Sequence, residues 1–298
     1  MKTNRVKFQN HKCIEILTKS LKLIITADSG PRIAFFGKPG NENLLFWDTK
    51  NLGRNKWKLM GGHRVWPNRP GADESEENYL PDNMPCSVTK GNNFVTVSAG
   101  IDRLTRTQRG MTIKILKDNK ISIDNFIKNT GNMLYSGGVW ALTCTNPKPG
   151  TNRKYIIPLG NDTGWDSFNY VIFRKWAGHT SMINDPQIKL TENMLILTPE
   201  GIECKRMIQA HHGIAAMDVP DQGITFIKKV DFDPNGKYPK GCNMAFYVGP
   251  DNFMVEIESM GQEKKLLPGE EIHNIETWIL INKSLGTNNR KQLIDSCK

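Results

Sequence analysis

The sequence predicts an all-β protein, a large antiparallel sandwich of two sheets. Three observations carry this. Along the 298 residues, many short segments alternate β-branched or apolar residues with polar ones, the period-2 signature of strands. Nowhere does an i, i+3, i+4, i+7 apolar pattern persist over several turns. The six cysteines (Cys13, Cys86, Cys144, Cys204, Cys242, Cys297) lie far apart with no CxxC spacing, so neither a disulfide scaffold nor a zinc knuckle stands in for a core. A composition of 38% hydrophobic residues with seven Trp and twelve Phe supplies that core. No linker, composition break or fixed-period repeat divides residues 1–298, so one domain is expected.

Taken in order, residues 13–36 read as short strands punctuated by Thr18-Lys19-Ser20 and Ser29-Gly30-Pro31, and residues 44–47 as a buried strand. Residues 61–83, GGHRVWPNRPGADESEENYLPDN, break the pattern. Their glycines relax φ and Pro67, Pro70 and Pro81 remove backbone donors, which predicts a long irregular loop. Val65, Trp66, Tyr79 and Leu80 would anchor it, and it would present His63, Arg64 and Arg69. The plainer alternative is a rigid surface loop whose arginines pair with Asp73, Glu74, Glu76 and Glu77.

Beyond it, residues 86–89, 93–99, 111–116 and 121–127 read as successive strands, with a hairpin turn at Lys117-Asp118-Asn119. Residues 135–144 form another through Trp140. Residues 146–186 are the least regular stretch and hold the aromatics Trp165, Phe168, Tyr170, Phe173 and Trp176. Strands return at 194–197, 203–208, 223–231, 243–248, 253–258 and 272–282.

The formal charge of +10 comes from 40 Lys and Arg against 30 Asp and Glu. These are scattered, and no nucleic-acid-binding signature accompanies them, so a generally basic surface is expected. That balance leaves room for an anionic or phosphorylated ligand. The start, MKTNRVKFQNHK, lacks the apolar run of a secretory signal, and no segment has the ~20 apolar residues of a membrane span. A cytoplasmic protein with reduced thiols, binding neither nucleic acid nor membrane, is the expectation. Oligomeric state is not legible.

Chemistry concentrates at a few places. Glu256 and Glu258, two residues apart in FMVEIES, would share one face of a strand while Val255 and Ile257 point to the core. Like charges that close raise one pKa toward that of a useful base; the alternative is a solvated or salt-bridged face. His63 stands beside Arg64. His211 and His212 are adjacent at a strand end, so they point to opposite faces and at most one can serve a site. No HExxH, HxH or His/Cys cluster gives metal spacing, and no GxGxxG, GxxxxGK[ST] or GxSxG motif exists, so no metal, nucleotide cofactor or serine elbow is expected. Arginines, carboxylates and aromatics such as Trp66, Tyr79, Trp140 and Trp165 together suit saccharide recognition, where rings stack on the sugar and charged groups take its hydroxyls.

The ordered blocks GGHRVWPNRP…YLPDN, GGVWALT, FIKKVDFDPNGKYPKG and VEIES…LLPGEE resemble the galactose mutarotase-like (aldose 1-epimerase-like) superfamily. They resemble most closely a bacterial domain-of-unknown-function branch of it, over about residues 21–282. The resemblance implies a β-supersandwich that binds a mono- or oligosaccharide. In the family a late-strand glutamate takes the anomeric proton and a histidine protonates the ring oxygen, so that the ring opens and recloses as the other anomer. The L-x-PGE turn sets Glu256 as the base, and Arg64 occupies the place of a substrate-binding arginine with His63 beside it. The stretch 137–143 departs from the family's N-H-x-Y-F-N-L strand: it holds Trp140 and no histidine. The acid then falls to His63, His211 or His212, or the protein binds sugar without turning it over. The expected catalytic set is Glu256, His63 and His211, with Arg64, Arg69, Trp66, Tyr79, Trp140 and Glu258 binding substrate. A glycan lyase or hydrolase acting on an acidic saccharide is the alternative from another class.

Overall fold

A computed structural model describes residues 2–53, 57–69, 76–160, 171–173, 175–176, 179–180 and 182–298. Strands come first: β1 (Lys2–Phe8), β2 (His11–Leu17), β3 (Lys22–Thr26), β4 (Arg32–Gly37) and β5 (His63–Asn68). The one-turn helix α1 (Glu76–Tyr79) precedes β6 (Cys86–Lys90), β7 (Phe94–Ala99), β8 (Thr107–Lys117), β9 (Lys120–Asn129) and β10 (Tyr135–Thr145). Then come β11 (Lys154–Pro158), β12 (Val171–Phe173), β13 (Lys175–Trp176), β14 (His179–Thr180), β15 (Ile188–Leu190) and β16 (Met194–Leu197). The chain closes with β17 (Cys204–Ile208), β18 (Ile214–Val219), β19 (Ile224–Val230), β20 (Met244–Val248), β21 (Val255–Met260), β22 (Lys264–Leu266), β23 (Glu271–Ile281) and α2 (Arg290–Asp295).

Two antiparallel sheets dominate. The first runs β1-β2-β3-β4-β5-β10-β21-β20-β17-β12, with β22 added against β10. The second runs β15-β16-β11-β18-β19-β23-β9-β8-β7-β6. Strict alternation in β9, where every second residue is buried, shows why periodicity found it: one face meets the core, the other water. Between the sheets lies one apolar cluster that joins Val65, Val139 and Ile257 of the first to Ile121, Ile123, Phe226 and Trp278 of the second.

Two expectations from sequence are corrected here. Residues 63–68 are not loop but β5, a strand inside the first sheet that pairs along its length with β10. Pro67 is tolerated because β4 reaches only His63 and Arg64, so past Arg64 the strand has a single ladder partner. Residues 44–47 form no strand, only the bridges Leu45↔Thr145 and Trp47↔Gly61. Sequence also passed over β18, because IAAMDV does not alternate. Its Met217 and Val219 face the main core, while Ile214 and Ala216 pack with Leu293 and Cys297 in a second cluster around α2. A strand covered on both faces loses its polar period.

A charged network is sealed inside the sandwich. Lys228 of β19 has its Nζ 2.8 Å from Glu276 Oε1. The same ammonium donates to Thr143 Oγ1 at 2.9 Å and to the carbonyls of Ala141 (3.1 Å) and Ile257 (3.0 Å). Glu276 also accepts from Ser259 Oγ at 2.5 Å and Trp278 Nε1 at 2.7 Å. His63, fully buried, belongs to this network. Asn125 gives its Nδ2 to Asn274 O, so its Oδ1 is the atom 2.9 Å from His63 Nε2 and must accept. The Nε2 therefore carries the proton, and Nδ1 accepts from the Thr143 hydroxyl at 2.9 Å. Burial drives the His63 pKa down to about 4, with Glu276 opposing only in part, in keeping with a neutral ring.

Because His63 titrates at about 4 when folded and near 6.5 when free, the unfolded chain takes up its proton first as pH falls. Stability from this residue is complete above pH 6.5 and is lost on going down toward 4, by on the order of 3 kcal/mol. Urea denaturation at pH 7 and pH 4.5 should show this loss. The His63→Gln variant should show a smaller drop over the same interval, since its carboxylates still titrate and its residue 63 does not.

Candidate functional site

The opposite, outward face of the first sheet is where the chemistry gathers. Alternation along β21 sends Val255, Ile257 and Ser259 inward and Glu256, Glu258 and Met260 outward. Register then fixes the neighbours. Cys144 of β10 stands opposite Glu256, Leu142 opposite Glu258 and Trp140 opposite Met260. On the far side of β10, Arg64 stands opposite Leu142 and Trp66 opposite Trp140. On the other flank, Tyr247 of β20 is across from Glu256 and Lys205 of β17 is across from Tyr247.

The two carboxylates are almost wholly buried, Glu256 at 4% and Glu258 at 0% exposure. Each has found a cation on another strand. Arg64 Nη2 donates to Glu256 Oε1 at 3.0 Å, and Lys205 Nζ reaches both oxygens of Glu258, at 3.0 and 2.9 Å. Trp140 Nε1 adds a bond to Glu258 Oε2 at 2.8 Å. Cys144 Sγ donates to Glu256 Oε1 at 3.2 Å. Burial raises the Glu256 pKa; Arg64 opposes the rise and Glu258 reinforces it. Glu256 is thus a carboxylate with enhanced basicity, as a proton acceptor requires. Burial, then the neighbouring Glu256, lifts the Cys144 thiol well above its usual range, which leaves it a hydrogen-bond donor and no nucleophile.

Aromatic rings wall the site. Trp57, Trp66, Tyr79 and Trp140 meet edge to face at centroid separations of 4.7 to 6.5 Å. The Arg64 guanidinium sits 4.5 Å over the Trp66 ring and Lys205 Nζ 4.5 Å over Trp140. Trp66 and Trp140, at 2% and 3% exposure, are therefore structural wall. Trp57 and Tyr79, half-buried, are the rings with surface left for a ligand.

Asp82 ties this wall down. Its Oδ2 accepts from Arg32 Nη2 at 2.9 Å and Trp57 Nε1 at 2.9 Å, and its Oδ1 from Trp66 Nε1 at 3.0 Å. Burial alone would raise its pKa, but Arg32 and Arg64 outweigh burial and hold it below the ordinary carboxylate range.

Of the residues singled out from sequence, Glu256, Glu258, Arg64, Trp66, Trp140 and Tyr79 come together here. His63 does not: it is one residue from Arg64 on a strand and so points to the inter-sheet core, with both ring nitrogens engaged. It is corrected from candidate acid to core residue. His211 sits in the turn between β17 and β18, its ring edge-on to Phe232 at 5.2 Å. Arg69 is exposed just past β5. Trp165, Phe168 and Tyr170, the side chains of Phe173 and Trp176, and the acidic groups of Asp73, Glu74, Glu76 and Glu77 lie outside the described residues. Sequence missed Lys205, Asp82 and Trp57. Only Lys205 left a trace, a lysine beside Arg206 in a short strand whose other residues, Cys204, Met207 and Ile208, are apolar.

No family model matches the chain, and no curated protein matches it. Solved structures do. A provisionally assigned aldose 1-epimerase from Escherichia coli K12 aligns over 89% of this chain and 97% of its own, with TM-score 0.64 and 11% identity. A galactose mutarotase-like protein from Lactobacillus casei aligns over 90% and 99%, with TM-score 0.62 and 13% identity. A galactose mutarotase-like protein from Clostridium acetobutylicum aligns over 94% and 98%, with TM-score 0.62 and 12% identity. The fold is the galactose mutarotase-like β-sandwich.

Asp82→Ala removes the acceptor shared by two indoles and one guanidinium and strands Arg32 in the interior. It should cost about 3–5 kcal/mol of stability in urea denaturation, as loss of one partner of a buried ion pair does.

Proposed function

We propose that the outward face around Glu256 binds a saccharide and interconverts its anomers by ring opening. The observation that carries this reading is the Glu256 carboxylate: buried, raised in pKa, and fixed by Arg64 on a face walled by aromatic rings. The mutarotase-like fold of the neighbouring structures supports the substrate class.

In this reading Glu256 takes the proton of the anomeric hydroxyl as the ring C–O bond breaks, and returns it on closure. The ring oxygen needs a proton at the same time. Among the described residues, the groups placed on the two carboxylates are Arg64, Cys144, Lys205 and Trp140, none of them a histidine. Lys205 is the proton carrier in this set, a primary ammonium held beside Glu258 and close enough to Glu256 to lower its pKa. Arg64, always charged, keeps the base anionic, while Trp57 and Tyr79 offer apolar surface to the C–H face of the sugar.

A second reading, sugar binding without turnover, is favoured by one observation: both carboxylates already hold a cation and a second donor, Glu258 through both oxygens and Glu256 through Oε1.

Polarimetry on freshly dissolved α-hexoses and hexose phosphates separates the two. Turnover should appear as accelerated approach to equilibrium, abolished at least about a hundredfold by Glu256→Gln. Because the base works deprotonated and its pKa is raised, the rate should fall as pH drops, with an acid limb above the ordinary carboxylate range. Sugar-dependent thermal stabilisation without turnover would identify the binding module, and neither effect across the panel would reject the saccharide reading.

A further inference from the structure

At the end of the sandwich where β8 begins and β9 finishes, large aliphatic side chains stand in solvent: Ile101 (50% exposed), Leu104 (59%), Met133 (76%), Leu134 (56%) and Leu267 (59%). They come from three loops, which are stitched together. Thr130 donates its N–H and its hydroxyl to Arg106 O, at 2.9 and 2.6 Å. Asn129 Nδ2 donates to Met133 O at 2.9 Å and to Leu266 O at 3.0 Å. Asn129 and the turn after β22 exchange backbone bonds, Asn129 N to Glu270 O and Gly269 N to Asn129 O. Apolar tips held side by side in this way form a patch, and such a patch marks a surface that something covers.

The same end is basic: Arg103 and Arg106 of the first loop, and Lys264 and Lys265 of β22 just before the third, are exposed. Of the acids nearby, Glu271 is paired with Lys128 at 3.0 Å and Glu263 with Lys237 at 3.5 Å. Glu270 and Asp102, bonded to backbone N–H groups, keep their charge, so the four cations outnumber the remaining acids. A second copy related by a two-fold axis would set these cations against themselves. A layer of anionic headgroups over hydrocarbon complements both the charges and the aliphatic tips.

We propose that this end of the sandwich docks peripherally on an anionic lipid surface, with Met133, Leu134, Leu267, Leu104 and Ile101 entering the headgroup boundary and the four cations meeting the lipid charge. No helix among the described residues is long and apolar enough to cross a membrane, and none is needed: shallow insertion of loop tips plus electrostatic attraction suffices for reversible binding.

The test is co-flotation of the full chain with vesicles of phosphatidylcholine alone and with phosphatidylglycerol added. Binding is expected to the anionic vesicles and to weaken as salt is raised. The triple variant Met133→Ser, Leu134→Ser, Leu267→Ser, at positions more than half exposed, should melt like the parent and bind about tenfold or more weakly. Three outcomes would overturn the proposal. The anionic vesicles float without protein; the neutral ones bind equally well; or the triple variant binds undiminished. A concentration-dependent dimer in light scattering that the triple variant loses, with no vesicle binding, would give the patch to a second copy instead.

Discussion

Two carboxylates two residues apart on one strand, both out of water, cannot both remain charged without partners. That constraint organises the outward face of the first sheet. Glu256 and Glu258 recruit Arg64 from β5 and Lys205 from β17, so the ion pairs tie three strands together, β5, β21 and β17. Each cation then lies over an indole, Arg64 on Trp66 and Lys205 on Trp140. Removing either cation would leave a buried anion, and removing either indole would open water to both. The packing of the wall and the charge state of the carboxylates are one problem with one solution.

Asp82 extends that solution into the segment before β6. Two of the rings that close the face, Trp57 before β5 and Tyr79 after it, lie outside the sheet and have no ladder to hold them. Asp82 takes the place of a ladder, drawing hydrogen bonds from Trp57, Trp66 and Arg32 onto one side chain. A cluster of this kind is rigid because each donor fixes the direction of the next, and a buried anion with three donors has little reason to move.

The strands and the face of the carboxylates were legible because they obey short-range rules. Period 2 in residues such as Val255 to Ser259 says which side chains point together, and FMVEIES says that two of them are acids. What sequence could not show is pairing between strands distant along the chain. Arg64 and His63 are neighbours in sequence and opposites in space, and whether such a pair is one site or two depends on whether the segment is strand or loop. Pro67 and Pro70 argued for loop, because nothing local reveals that β4 stops short and frees β5 from its second ladder partner. Lys205 meets Glu258 across an intervening strand, β20, and no spacing in the sequence encodes that. Nor does composition distinguish the scattered lysines that pair with buried carboxylates from those that make the surface basic.

The interior network explains why the carboxylate strand is held firmly in place. Lys228 reaches across from the second sheet to the carbonyls of Ala141 and Ile257, which lie on the adjacent strands β10 and β21. Ser259, next to Glu258, hydrogen-bonds the same Glu276 that neutralises Lys228. The strand is therefore gripped on both faces, outward by Arg64 and Lys205 and inward by Lys228 and Glu276. A buried ion pair seldom adds much net stability over an apolar pair of the same volume. It does fix direction, because a carboxylate and an ammonium with satisfied hydrogen bonds tolerate few alternative placements. The sealed pair behind β21 is thus best understood as a device for orientation, and His63, neutral and wedged between Thr143 and Asn125, completes it one residue away from the arginine it was expected to stand beside as the catalytic acid.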